Sequence, residues 1–227
     1  WDILQLYESK TKAIIMLRYR PMQSKPRLII IPVIHTRADY GSLGSKVLVD
    51  QGYETMATRY WQAISEYVQG LSVDFSKLRV YQDGLPDVTN EIVARIIDET
   101  QTPNYDLLRW LRDKGACIIG TENPSLLLQE YHALKAIFSA ESEEQKQAAR
   151  WEYVKVSAYL LEGRDEYISQ RIKTTLLEGG IGILFIGLAH EVKRLLEQEM
   201  EVSEPEALIG SSSEALRKRL SGKEREL

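Results

Sequence analysis

The sequence has a single cysteine, Cys117, in 227 residues. That excludes an internal disulfide framework. Cys117 lies in the apolar run Ala116-Cys117-Ile118-Ile119 and reads as a small core residue rather than a nucleophile. Histidine is almost as scarce, with only His35, His132 and His190, which leaves little room for a zinc finger or a Cys–His nucleophile site. No segment reaches the roughly 18–20 apolar residues of a membrane helix, and the best run, residues 181–189, is about half that length. The start, at Trp1 rather than Met, carries no signal-peptide pattern, and the cytoplasm is the expected compartment. Also missing are the Gly-rich phosphate loop with Lys-Ser/Thr, G-x-G-x-x-G after a strand, the G-x-S-x-G elbow and H-E-x-x-H. A net charge of −4 and a pI near 5.6 give no general pull toward nucleic acid or anionic membrane.

What is present is an ordinary globular composition, 44% hydrophobic and 27% charged. The length suits one domain, or one domain with a helical insertion. Residues 27–34 (RLIIIPVI) form a short β-branched run that leads into polar, Gly-containing sequence, which reads as a buried strand entering a loop. Residues 13–18 are an earlier strand or part of a terminal helix. A helix is expected over residues 53–69, then a strand at 78–81 ending in the turn Gln82-Asp83-Gly84-Leu85-Pro86. Helices follow at 87–99 and 103–114, a third strand at 116–119, and a turn-rich Gly120-Thr121-Glu122-Asn123-Pro124. Residues 125–138, 141–161 and 164–177 read as helical. Gly179-Gly180 breaks the pattern, and residues 181–186 make the last strand before a helix reaching about Met200. The alternation predicts an α/β fold: a mostly parallel central sheet with helices on both faces, plus a long helical insertion over about 125–178. Residues 1–202 form the expected single domain, and 203–227 a polar tail, disordered or a loosely attached helix.

In parallel sheets, functional groups gather where strands end. The residues there are His35, Asp83, Glu122 and His190. Imidazole and carboxylate are ligands shared by Zn, Mn, Co and Fe, and are also the commonest general acid–base groups. If the first and last strands are neighbours, His35 and His190 come within reach of one ion or one substrate. The plainer alternative is that each histidine packs near its loop. Glu122 serves equally well as an acid near the start of the helix at Ser125. His132, mid-helix, reads as a surface or packing residue. Arg164 and Asp165 are read at a helix start. They form a salt-bridge network there with Arg171, or Arg164 points to the strand ends and holds an anionic group. Arg37 and Asp39 follow His35 and are substrate-binding candidates with Asp165; loop solvation is the simpler view of both. Gly41-Ser42-Leu43-Gly44 is a weak anion-binding pattern.

On these residues the chain resembles the superfamily that includes TraB, Tiki, GumN, PrgY, ChaN and erythromycin-esterase-like proteins. That family pairs two G-x-x-H motifs after buried strands, with an acid after an intervening strand and an Arg-Asp or Arg-Asn helix start before the second motif. Gly187-Leu188-Ala189-His190 matches the second motif, and Gly163-Arg164-Asp165-Glu166-Tyr167 the helix start. Pro32-Val33-Ile34-His35 keeps the first histidine without the glycine, and Asp83 stands where glutamate is usual, with Glu122 as a second candidate. The resemblance covers roughly residues 27–200. Some members of that superfamily are metal-dependent hydrolases or proteases and others bind haem; for this chain the resemblance implies a metal-dependent hydrolase.

Two expectations of function follow. The first is a hydrolase in which His35, His190, Asp83 and Glu122 hold a divalent ion (Mn, Co, Zn or Fe) or position water. Arg164 stabilises developing negative charge on a small-molecule or peptide substrate. The second is a non-catalytic ligand-binding or scaffold protein, assembling as a homo-oligomer or with a protein partner through the long helix, where Val154, Val156 and Tyr159 would lie uncovered. Neither nucleic acid nor membrane is expected as a partner.

Overall fold

A computed structural model describes residues 24–34 and 51–209. Five strands, β1 (Arg27–Val33), β2 (Leu78–Gln82), β3 (Cys117–Ile119), β4 (Ile181–Gly187) and β5 (Glu201–Ser203), form one sheet in the order β3-β2-β4-β1-β5. Every pairing is parallel. The first and last long strands are neighbours, with Arg27 opposite Ile181 and Val33 opposite Gly187. In β4 all residues after Ile181 are buried, as a strand covered on both faces requires.

The helices are α1 (Gln51–Gln69), α2 (Asn90–Glu99), α3 (Pro103–Asp113), α4 (Pro124–Phe138), α5 (Glu143–Thr175), α6 (Val192–Leu196) and α7 (Glu206–Ile209). Ala57, Trp61, Ile64 and Val68 give α1 its buried stripe at helical spacing. On one face of the sheet, α1, α2 and α3 pack Trp61, Ile97 and Leu108 against Ile31, Val80 and Phe185. On the other, α5 and α6 pack Ile168, Ile172 and Leu196 against Leu28, Tyr81 and Leu184. The alternation within each strand thus sends neighbouring residues to two separate cores. The expected α/β architecture with helices on both faces is what the structure has.

Several boundaries differ from the sequence reading. The two helices expected at 141–161 and 164–177 are one helix of 33 residues. Gly163 lies within it where α4 comes close: a Cβ there would lie 3.3 Å from Leu126 Cδ1, so the missing side chain eases the approach of the neighbouring helix. Arg164 and Asp165 are therefore mid-helix, not at a helix start. The helix begins instead at Ser142, whose side chain accepts from Gln145 N–H at 3.2 Å, followed by Glu143 and Glu144 in the first turn. Cys117 is exposed rather than core, since it opens the short edge strand β3, where only Ile119 is buried. The helix after His190 is only the five residues of α6. Past the expected boundary at 202, Ser203 pairs with Ile29 and α7 follows. Residues 13–18 and 41–44 lie outside the described residues. Among the described residues no helix is long and apolar enough to cross a membrane.

Candidate metal centre

Because β3, β2 and β4 are adjacent and parallel, their carboxyl ends share one rim, and the residues after them stand side by side. Asp83 follows β2, Glu122 lies just past β3, and His190 ends the turn after β4. One carboxylate oxygen of each acid and one ring nitrogen of His190 lie within 4.8 Å of one another. Glu122 is fully buried and Asp83 is 7% exposed.

Local structure explains how the acids are held. The β2 and β3 turns run against each other: Thr121 and Glu122 N–H both donate to the Leu85 carbonyl, and Asp87 N–H to the Glu122 carbonyl at 2.8 Å. A Cβ on Gly120 would sit 2.3 Å from the Pro86 carbonyl oxygen, so only glycine allows that approach. Gly84, with φ +76°, turns its N–H toward Glu122 Oε1 at 3.3 Å. Asn123, not Glu122, caps α4, its side chain accepting from Ser125 N–H at 2.9 Å. Gly187, the glycine of the G-x-x-H motif, donates its N–H to Asp83 Oδ2 at 2.9 Å. The motif therefore positions an acid just past the end of the neighbouring strand as well as presenting its own histidine.

Helix α5 supplies the second layer. Arg164 Nη2 donates to Asp83 Oδ1 at 2.7 Å and to Glu122 Oε1 at 2.6 Å, while Nε donates to Glu122 Oε2 at 3.1 Å. Its Nη1 donates to Glu130 Oε2, an acid on α4 that also accepts from Tyr153 Oη at 3.3 Å. Asp165 Oδ1 meets His190 Nδ1 at 2.5 Å, and its Oδ2 accepts the Glu191 N–H at 2.8 Å. With Nδ1 committed to Asp165, His190 presents Nε2 toward Asp83 Oδ2, 3.6 Å away. This is the carboxylate–imidazole arrangement that fixes a histidine as ligand or base. Arg171 does not join this network: it pairs with Asp87 at 2.7 Å and bonds the Gly120 carbonyl.

The electrostatics follow from packing four acids, Asp83, Glu122, Glu130 and Asp165, around one arginine and one imidazole. Burial, opposed by the Arg164 hydrogen bond and reinforced by the Asp83 charge, pushes the Glu122 carboxyl up to about 7. Burial works against the charged form of His190, but the Asp83 charge and the Asp165 hydrogen bond outweigh it and raise the imidazole above 6.5. Burial also opposes the Arg164 cation, yet Glu122, Asp83 and Glu130 hold its pKa above the ordinary value. The cluster is short of positive charge.

That donor set suits a divalent ion: two carboxylates and an imidazole, with excess negative charge nearby. Metal bonds of about 2.1 Å set ligand atoms roughly 3–4 Å apart, so the three donors need only a small contraction. A cavity of about 380 Å³ opens beside His190, lined by Ile30, Pro32, Gly187, Leu188, Lys193 and Arg194 among others.

Of the residues singled out in the sequence, the structure unites Asp83, Glu122, Arg164, Asp165 and His190. His35, Arg37 and Asp39 lie outside the described residues. His132 is exposed on α4, as anticipated. Glu130 was missed: within Gln129-Glu130-Tyr131-His132 nothing local marks it, and only the docking of α4 on α5 brings it to Arg164. No family model, curated protein or solved structure matches this chain.

Proposed function

We propose that the chain is a metal-dependent hydrolase. The observation that carries this reading is the convergence of Asp83, Glu122 and His190 on one buried point, amid more acid than base. Asp83, Glu122 and His190 would hold the ion, with His35 as a further donor. Asp165 would keep the His190 tautomer and ring orientation that leave Nε2 free. Arg164 would hold the two acids in place, and the cavity beside His190 would admit a small-molecule or peptide substrate. When bound, such an ion lowers the pKa of water toward neutrality. The paired-histidine resemblance, strongest at Gly187–His190, supports the same class of activity.

The test is calorimetric titration of chelator-treated protein with Mn, Co and Zn, with hydrolysis measured over an ester, amide and phosphoester panel. Binding should vanish in Asp83→Asn, Glu122→Gln and His190→Ala. Asp165→Asn should weaken it about 10–100-fold, as loss of an outer-shell partner does. Unchanged binding in the three ligand variants, or none in the wild type, removes the proposal. One observation favours a second reading, a non-catalytic scaffold: Val154, Val156 and Tyr159 stand 41–69% exposed on α5. Retained metal without hydrolysis of any panel member would favour that reading.

A further inference from the structure

Exposed apolar surface on this molecule is concentrated, not scattered. Of eight large hydrophobic side chains left exposed among the described residues, six are on the α4–α5 hairpin: Leu128, Tyr131, Trp151, Val154, Val156 and Tyr159. They do not make one stripe: Val154 and Val156, two residues apart, lie on opposite flanks of α5, with Trp151 on the exposed side between them. The first half of α5, residues 143–159, has no fully buried residue and is only half-buried on its α4 side, at Ala149 and Tyr153 among others; its buried residues begin at Leu160. At 1.5 Å per residue this half runs for about 25 Å.

Along its exposed side lie Glu144, Ala148, Trp151 and Lys155, every one of them exposed. Their spacing of four, three and four residues lines them up along one face of the helix as a seam. The seam is complementary to itself in one arrangement. Set antiparallel against a copy, with the two-fold axis between residues 149 and 150, Glu144 faces Lys155 and Ala148 faces Trp151, and symmetry repeats both pairs. Each indole then covers an alanine, the smallest side chain of the seam, and each charge meets its opposite. The alternatives are worse. Parallel pairing sets Glu144 on Glu144 and Lys155 on Lys155; moving the axis to residue 153 sets Glu144 on Glu162. Within one chain Lys155 is engaged only at the surface, by Glu152 at 2.6 Å and over the Trp151 ring at 5.9 Å. Such exposed pairs hold a lysine weakly, so it is free to turn to a partner.

We propose that the chain forms a two-fold homodimer through antiparallel pairing of the first half of α5, with Trp151 at its centre. The test is sedimentation equilibrium of the full chain over roughly 1–200 µM, a range that reads micromolar dissociation constants. The wild type should dimerise within it. Glu144→Lys and Lys155→Glu should each weaken association at least about tenfold, because each places like charges opposite one another. Mixed together, those two variants should form a heterodimer as tight as the wild type, since both charge pairs are then opposite in sign. Trp151→Ala should remove association altogether, with the far-ultraviolet circular dichroism unchanged. A wild type that stays monomeric overturns the proposal. So does a dimer that ignores these substitutions, or a mixture of the two charge variants that fails to associate.

Discussion

The two halves of α5 invert each other. Its first half turns Trp151, Val154 and Tyr159 outward, and its second half turns Arg164 and Asp165 inward, each only 7% exposed. In an ordinary amphipathic helix the apolar residues are covered and the charged ones solvated. Here each half departs from that pattern in its own way. Buried charge costs several kcal/mol per ion unless it is met by partners. Arg164 has three acids around it, and Asp165 has His190 and a backbone N–H. Exposed aromatic surface costs little in a monomer but is what association uses. A helix read end to end for amphipathicity averages these two departures away. Read by halves, it shows buried charge at one end and exposed apolar side chains at the other.

The sharpest way to break this contrast is to substitute one residue in each half. Arg164→Ala should destabilise the protein by about 3–5 kcal/mol, because Asp83 and Glu122 are left buried without their cation. For a chain of this size that is a fall in melting temperature of roughly 10 °C or more, read by calorimetry or circular dichroism. If the loss were below about 1 kcal/mol, the cluster would not depend on Arg164 for its charge balance.

A smaller effect separates the acids from one another by pH. The folded-state pKa of Glu122 is raised from 4.5 to about 7, so its protonated form is the one the fold favours. Its contribution is complete below about 4.5 and is lost as pH rises through about 7. His190, also raised, contributes in the same sense, losing its share above its ordinary 6.5. Chelator-treated wild type should therefore lose roughly 1–3 kcal/mol relative to Glu122→Gln between pH 5 and 8. Equal pH profiles for the two proteins would mean that Glu122 does not titrate in this window. Added divalent ion should flatten the wild-type profile, since binding draws on the ionised carboxylate.

The least effect on stability is expected from Trp151→Ala, within about 0.5 kcal/mol when measured at concentrations where the protein is monomeric. A large loss there would mean that the Trp151 side chain packs against its own chain, and the contrast between the halves would fail.

Much of the architecture is legible in the residues. The runs at 27–34 and 181–186 are apolar without alternation, which only strands covered on both faces require, and the turn signals at Gly84 and Gly120 end the two strands between them. The rule that chemistry gathers at strand ends then points to Asp83, Glu122 and His190 without any knowledge of distance. The sequence could not say that Arg164 meets acids 42 and 81 residues earlier, or that Glu130 joins them. Nor does it carry an obvious sign that the segments 141–161 and 164–177 are one continuous helix.

Residue order alone determined the periodicities, the strand-end acids and the paucity of cysteine and histidine, because each is a property of neighbours along the chain. Tertiary structure alone decided which acid shares a proton or a cation with which base, that Cys117 faces outward at a sheet edge, and that Asp165 orients His190. Those outcomes depend on the distance and burial of groups far apart in sequence, and Coulomb energy and desolvation respond to nothing else.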